Sequence, residues 1–260
     1  MIVILGCGVV GVLAGDALVA HGAEVLGVRR TPDPAVTARF PIMAGDLADA
    51  GLYRALEDDV EAVLIAANPG LRRGRDNGLA QGVALASARW PAARLVYTGT
   101  TAVYADVGGG GADEDAPLAL DDPAVAGLVA IERAVLAHGD ALILRAPALV
   151  GTTRTHALDR LRRGERSVRG DPDRPFSYLH EADLAELAVA ALAGAFGRGV
   201  LNAAAPERLS VRGYYAALAQ RAGLGEVDLV GDGEAAASRW IDAGRLRAHL
   251  PGHRWRRCGD

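Results

Sequence analysis

The sequence predicts an α/β fold, a doubly wound parallel sheet with a smaller C-terminal substrate lobe, and three observations predict it. Short β-branched runs alternate with segments of helical spacing through the first half of the chain. Those runs are apolar almost without interruption, as strands covered on both faces of a sheet must be. The first run leads through Gly6-Cys7-Gly8-Val9-Val10-Gly11 straight into a helical pattern, the strand–turn–helix context of a nucleotide-binding turn.

Taken in order, Ile2–Leu5 reads as a strand and residues 9–20 as a helix. Val25–Val28 is the second strand, followed by a turn at Thr31-Pro32-Asp33-Pro34. Residues 52–56 look helical and 62–66 form a strand-type run. Residues 79–88 are helical, 94–98 a strand, 124–137 a helix and 141–144 a strand. After Gly151 the rhythm changes. Residues 154–174 are rich in Arg, Gly and Asp, with a helical piece at 157–163. A short strand is expected at 176–179 and an Ala/Leu helix at 181–193. A strand at 201–204 and helical stretches at 214–221 and 234–250 follow. The expected division is therefore a nucleotide-binding domain over 1–151 and a substrate lobe over 152–260, from which the chain partly returns to the first domain. Gly108–Gly111 is the one low-complexity insert; four successive glycines hold no fixed conformation unaided, which makes the segment a candidate lid.

Composition narrows the function. The 260 residues are 50% hydrophobic, 23% charged and 5% aromatic, which suits a globular protein with an aliphatic core rather than a disordered chain. A net charge of −4 lacks the basic excess of a nucleic-acid binder. All 28 basic residues are Arg. The absence of Lys excludes Schiff-base chemistry, pyridoxal phosphate anchoring, Walker-A phosphate binding and any Lys general base. Cys7 and Cys258 form no disulfide framework. The N-terminus lacks the basic stretch and cleavage site of a signal peptide, and no apolar run reaches the roughly 18–20 residues of a membrane span. A soluble, cytoplasmic protein with neither nucleic-acid nor membrane partner is expected.

In the glycine-rich turn the first glycine permits the tight reversal, the second lets a pyrophosphate approach the backbone, and the third lets the helix pack closely on the sheet. The helix start, at Val9 and Val10, presents N–H groups and the positive end of a dipole. A dinucleotide-binding, Rossmann-type unit follows. NAD sites place an acid at the end of the second strand for the ribose 2′-hydroxyl. This chain has Arg29 and Arg30 there, which suit a 2′-phosphate, so NADP(H) is expected. Arg145 falls at the carboxyl end of a strand, where such sheets bind ligands, although an ion pair inside the fold would explain it equally well. The histidines 249 and 253 with Cys258 lie in a basic tail that opposes cation binding, and no metal site is expected.

Further segments resemble the extended short-chain dehydrogenase/reductase family, in its epimerase/dehydratase-like branch. They are Gly45-Asp46-Leu47, Ala66-Ala67, Thr98-Gly99-Thr100-Thr101-Ala102-Val103-Tyr104, Leu144-Arg145-Ala146-Pro147 and Tyr178-Leu179-His180-Glu181-Ala182-Asp183-Leu184-Ala185. The resemblance spans about residues 1–225. It implies that Asp46 and Leu47 lie near the adenine, that Ala66, Ala67, Thr98, Gly99, Arg145 and Pro147 border the cofactor, and that Thr100 takes the place of the catalytic Ser/Thr. The family's Tyr-x-x-x-Lys pair would fall at Ala124 and Leu128, so neither member is present. Losing a positioned acid/base removes roughly 10²–10⁴ in rate, which strikes proton abstraction harder than reduction of a ketone already polarised by an internal hydrogen bond.

That departure makes the chain similar to atypical ketoreductases of antibiotic pathways. It implies an NADPH-dependent enzyme acting on a bulky aromatic, polyketide-like ketone, as monomer or homodimer. Two alternatives stay open: a sugar-nucleotide epimerase/dehydratase with displaced catalytic groups, and a catalytically silent NADP-binding sensor.

Overall fold

The computed structural model describes residues 1–31, 36–234 and 236–260; of the expected turn at 31–34, residues 32–34 lie outside the described residues. The chain divides into two compact units. One comprises Met1–Val103, Ala119–Arg145 and Leu184–Leu201, the other Tyr104–Leu118, Ala146–Asp183 and Asn202–Asp260.

In the first unit, β1 (Ile2–Leu5), α1 (Val9–Ala20), β2 (Val25–Arg29), β3 (Ile42–Ala44), α2 (Ala50–Ala55), β4 (Ala62–Ile65), α3 (Leu79–Arg89), β5 (Arg94–Thr100) and α4 (Pro123–Leu136) follow one another. The sheet runs in the order Gly199–Asn202, Ala141–Ala146, β5, β4, β1, β2, β3. Its pairs β1–β2, β1–β4, β2–β3 and β4–β5 are parallel, with Leu5 opposite both Val28 and Ile65. The order reverses at β1, the switch point at which doubly wound sheets bind ligands beyond their carboxyl ends.

All four residues of β4 and all six of Ala141–Ala146 are buried, which is why the sequence shows runs there instead of alternation. Val3, Leu5, Val63, Ile65, Val83, Leu95 and Ile143 form the centre of one core cluster. Tyr53 and Trp90 close one side with ring centroids 5.9 Å apart. Their polar ends are satisfied by backbone: the Tyr53 hydroxyl lies 3.0 Å from the carbonyls of Leu47 and Gly82, and the Trp90 indole N–H donates to Glu57. Helix α1 turns Val10, Gly11, Ala14, Gly15 and Leu18 inward. The absence of a side chain at Gly15 matters, because a Cβ there would come within 2.2 Å of the Phe40 ring. Arg94 secures the returning segment: its guanidinium donates to the Ala191 and Gly197 carbonyls and pairs with Asp140 at 2.7 Å.

The second unit has a separate core of Val150, Leu161, Val168, Tyr178, Val211, Tyr214, Leu218 and Cys258. The Phe176 and Tyr214 rings stack at 4.3 Å. Three expectations are corrected here. The strand expected at 176–179 is two short pieces, Pro175–Phe176 and Tyr178–His180, broken at Ser177, whose hydroxyl accepts the Ile241 N–H. The strand expected at 201–204 runs from Gly199 to Asn202. Of the helical stretch expected at 234–250, only Gly244–Ala248 is helical among the described residues. Trp240–Ile241 instead pairs in parallel with Gly111–Ala112, because its backbone is drawn into a sheet-type ladder. The glycine insert is correspondingly pinned: Gly109 N–H donates to Ser238, Gly110 accepts from Trp240, and Asp106 accepts from both Gly108 and Ser238.

Candidate active site

The glycine turn is built from three different physical requirements. Gly6 takes φ +89°, and a Cβ on it would meet the Ala67 nitrogen at 2.5 Å. The Gly6 and Cys7 N–H groups both donate to the Val28 carbonyl, at 3.0 and 2.9 Å, fixing the turn on β2. Gly8 precedes α1 without a side-chain cap, and a Cβ on it meets nothing within 4 Å. Gly11 lies over β1, with its Cβ position 3.1 Å from Ile4 Cγ2. Reversal, open approach and close packing are thus separately visible. Val10 is buried, and Val9 forms the first residue of α1.

A cavity of about 350 Å³ opens beside this turn. Gly6, Gly8, Arg29, Arg30, Leu47, Ala66 and Ala67 line it, all named by the sequence; Val28, Gly45, Asn68, Asn77 and Leu79 complete it. Of the missed asparagines, Asn68 follows directly on Ala66-Ala67 and Asn77 closely precedes α3. They are joined, since the Asn77 side-chain amide donates to the Asn68 carbonyl at 3.0 Å. Their signal was available as Asn-Pro-Gly and Asp-Asn-Gly turn chemistry, but nothing in the spacing tied it to the cavity. Arg29 is half-buried, and Arg30 is exposed with its Nε 4.0 Å from Asp46. Asp46 also accepts the Ala48 N–H.

The open room at Gly8, the uncapped start of α1 and two guanidiniums in the lining fit a dinucleotide with its pyrophosphate on the helix. Gly8, Val9 and Val10 would face the pyrophosphate, and Arg29 and Arg30 would stand beside the dinucleotide at β2.

Thr98, Gly99 and Thr100 lie at the end of β5. The Thr98 hydroxyl points to the Ile65 carbonyl at 3.4 Å. Thr100 Oγ1 accepts the Ala102 N–H at 3.1 Å, which leaves its own O–H hydrogen to donate. Behind Gly99 lies a buried ion pair. Arg145 donates to both Glu132 oxygens, at 3.0 and 2.7 Å, and a Cβ on Gly99 would sit 3.3 Å from Glu132. The Arg145 side chain therefore faces a carboxylate inside the first unit. Burial, reinforced by the Glu132 charge, pushes the Tyr97 phenol above its ordinary range. Pro147 belongs to the second unit. On α4, Ala124 and Leu128 occupy the positions implied for tyrosine and lysine, and the helix carries neither residue type.

No family model and no curated protein matches the chain. Solved structures do. WbmH from Bordetella bronchiseptica, solved with NAD+, superposes with a TM-score of 0.82 at 19% identity over 99% of this chain and 94% of its own. The fold is shared. The UDP-N-acetylglucosamine 4-epimerase of Bacillus cereus gives 0.78 at 17% identity, covering 95% and 91%. TunA, an NAD-dependent NDP-hexosamine 5,6-dehydratase of tunicamycin biosynthesis, gives 0.75 at 21% identity, covering 97% and 91%.

Proposed function

We propose that the chain is an enzyme of the epimerase/dehydratase-like kind that binds NADP(H) in the first unit and exchanges hydride with a small-molecule alcohol or ketone. The observation that carries it is the glycine turn, whose three glycines each have a distinct steric reason beside one cavity. A bound nicotinamide would supply or accept the hydride. The Thr100 hydroxyl donates a hydrogen bond to the substrate oxygen; solvent supplies the proton in reduction and takes it in oxidation, because α4 holds no Tyr or Lys to do so.

Two substrate classes have separate support. The structural neighbours include enzymes named for nucleotide sugars, which favours a sugar-nucleotide substrate with catalytic groups displaced from the usual places. The missing Tyr and Lys favour reduction of a pre-polarised aromatic ketone, which needs no side-chain base. NADPH oxidation with aromatic ketones against turnover of UDP-sugars decides between them. Cofactor binding without either turnover leaves the silent sensor.

The cofactor assignment is tested by titration calorimetry of NADPH and NADH on the wild type and on the Arg29→Ala/Arg30→Ala variant. Hydrogen bonds to charged groups contribute about 1.5–3 kcal/mol, so an NADPH preference of roughly ten- to hundredfold that disappears in the variant is expected. Equal or tighter NADH binding by the wild type overturns it.

A further inference from the structure

We propose that the loop between β4 and α3 is an anion-binding rim, in which Arg72, with Arg73 and Arg75 beside it, holds a phosphate group of the substrate next to Thr100. This rests on the dinucleotide reading of the neighbouring cavity and names the substrate's chemistry. Residues 69–78 carry three arginines and a single acid, Asp76, in a chain of net charge −4. The Asp76 carboxylate is occupied by the Gly78 N–H at 2.8 Å. All three arginines are exposed, and none pairs with a carboxylate among the described residues. Elsewhere the surface arginines are commonly neutralised, as Arg160 and Arg163 are by Glu165 and Arg212 is by Asp173.

The loop is a fixed platform. Arg73 and Gly74 N–H groups close a short 3-10 turn on Gly70 and Leu71, and Asn77 N–H donates to the Pro69 carbonyl. Leu71 is seated over α4 at Gly127, where a Cβ would come within 2.8 Å of it. Arginines carried on a loop backbone already ordered in this way lose less entropy on binding than arginines on a mobile loop. Its position gives it a task. The Arg72 guanidinium reaches the Ala102 carbonyl at 3.5 Å, and the Ala102 N–H is bound to Thr100, while Asn68 and Asn77 at the loop's feet line the cavity. An anion on Arg72 therefore lies between the cofactor cavity and the end of β5. Arginine stays protonated, so its role is binding and charge stabilisation rather than proton donation. Several guanidiniums together suit a multiply charged phosphate better than a lone carboxylate.

The test is calorimetric titration of inorganic pyrophosphate into NADPH-saturated protein, for wild type, Arg72→Gln/Arg73→Gln/Arg75→Gln, Arg72→Lys and the α4 surface control Arg133→Gln. The proposal expects binding by wild type, at least tenfold weaker in the triple variant, partly retained in Arg72→Lys and unaltered in the control, with NADPH affinity and Tm unchanged throughout. It is overturned by unchanged affinity in the triple variant, by absence of binding to wild type, by equal loss in the control, or by displacement of pyrophosphate by NADPH, which would make the anion site the cofactor's own. Pyrophosphate binding that needs the three arginines in a protein that fails to bind NADPH would sustain the rim and sink the dinucleotide reading alone.

Discussion

A methyl group added at Gly6 would lie 2.5 Å from the Ala67 nitrogen on a backbone of φ +89°, whereas one added at Gly8 meets nothing within 4 Å. The left-handed conformation costs a side chain about 1–2 kcal/mol, and the overlap roughly 1–3 kcal/mol more. Gly6→Ala is therefore expected to lower stability by about 2–5 kcal/mol in urea denaturation. Gly8→Ala is expected to fold normally and lose dinucleotide affinity at least tenfold by calorimetry. Loss of stability in Gly8→Ala would contradict the open approach. Glu132 and Arg145 pose a second residue-scale question. Both are buried, and removing one partner of such a pair costs about 3–5 kcal/mol, whereas replacing both by apolar groups is often neutral. Glu132→Leu should be strongly destabilised and Glu132→Leu/Arg145→Met should recover most of the loss. If the double variant recovers stability but fails to bind cofactor, Arg145 contributes to the ligand as well as to the pair.

At the scale of the element, the glycine insert shows how composition can mislead. Gly108–Gly111 has little conformational preference of its own, yet its backbone is held by Ser238 and Trp240, and Gly111–Ala112 forms a parallel pair with Trp240–Ile241. Asp106 is the hinge pin: hydrogen bonds from the Ser238 and Gly108 N–H groups hold its carboxyl below the usual range. A depressed folded pKa means that this contribution is present above the unfolded value and is lost as pH falls through the folded one. Hydrogen exchange should find Gly109 and Trp240 protected at neutral pH, with protection reduced in Asp106→Ala and in mildly acidic solution below the unfolded aspartate pKa. Exchange at Gly109 as fast as at an unstructured terminus would restore the lid. The same segment explains why a helical pattern failed over 234–250. Ladder bonds to residues 110 and 112 take the N–H groups of Trp240 and Asp242, and Gly244–Ala248 is left to coil.

Across the whole molecule, several buried acids that ionise only at alkaline pH act together. Burial pushes the Cys7 thiol up to about 11 against a weaker opposing effect of Arg29, and the Tyr214 phenol up to about 12. Burial raises Tyr53, Tyr97 and Cys258 as well. The native state therefore binds more protons than the unfolded chain above pH 9, and stability must fall as pH rises. For fully buried Cys7 alone the loss between pH 9 and 11 is on the order of 2–3 kcal/mol. Denaturation midpoints should be level from pH 7 to 8.5 and drop toward pH 10.5, less steeply in Cys7→Ala; an identical slope in that variant would remove the thiol from the account. The interleaving of the two units gives another whole-chain prediction. The strand Gly199–Asn202 completes the sheet of the first unit, and Arg94 binds carbonyls at Ala191 and Gly197. A fragment of residues 1–151 lacks these, so it should expose the edge of Ala141–Ala146 and aggregate or bind a hydrophobic dye; a monomeric, cooperatively melting fragment would contradict this.

Much of the architecture was legible without coordinates, because it depends on local pattern. Fully buried parallel strands need apolar runs, as at Ala62–Ile65 and Ala141–Leu144. A nucleotide turn needs glycines at set positions, and Gly6, Gly8 and Gly11 lie in a strand–turn–helix context within the first eleven residues. The absence of Lys, and of Tyr and Lys at 124 and 128, was likewise readable directly. Tertiary structure decided what depends on partners distant in the chain. Arg145 could have been a ligand group or an ion-pair member, and Glu132, thirteen residues earlier, takes its guanidinium. Asn68 and Asn77 entered the cavity wall, and Arg72 reached Ala102, through a loop path that no periodicity encodes. Periodicity reports which face of an element is buried, but not which remote backbone or charge will meet it; that is set when the chain closes on itself and each buried polar group must find a partner.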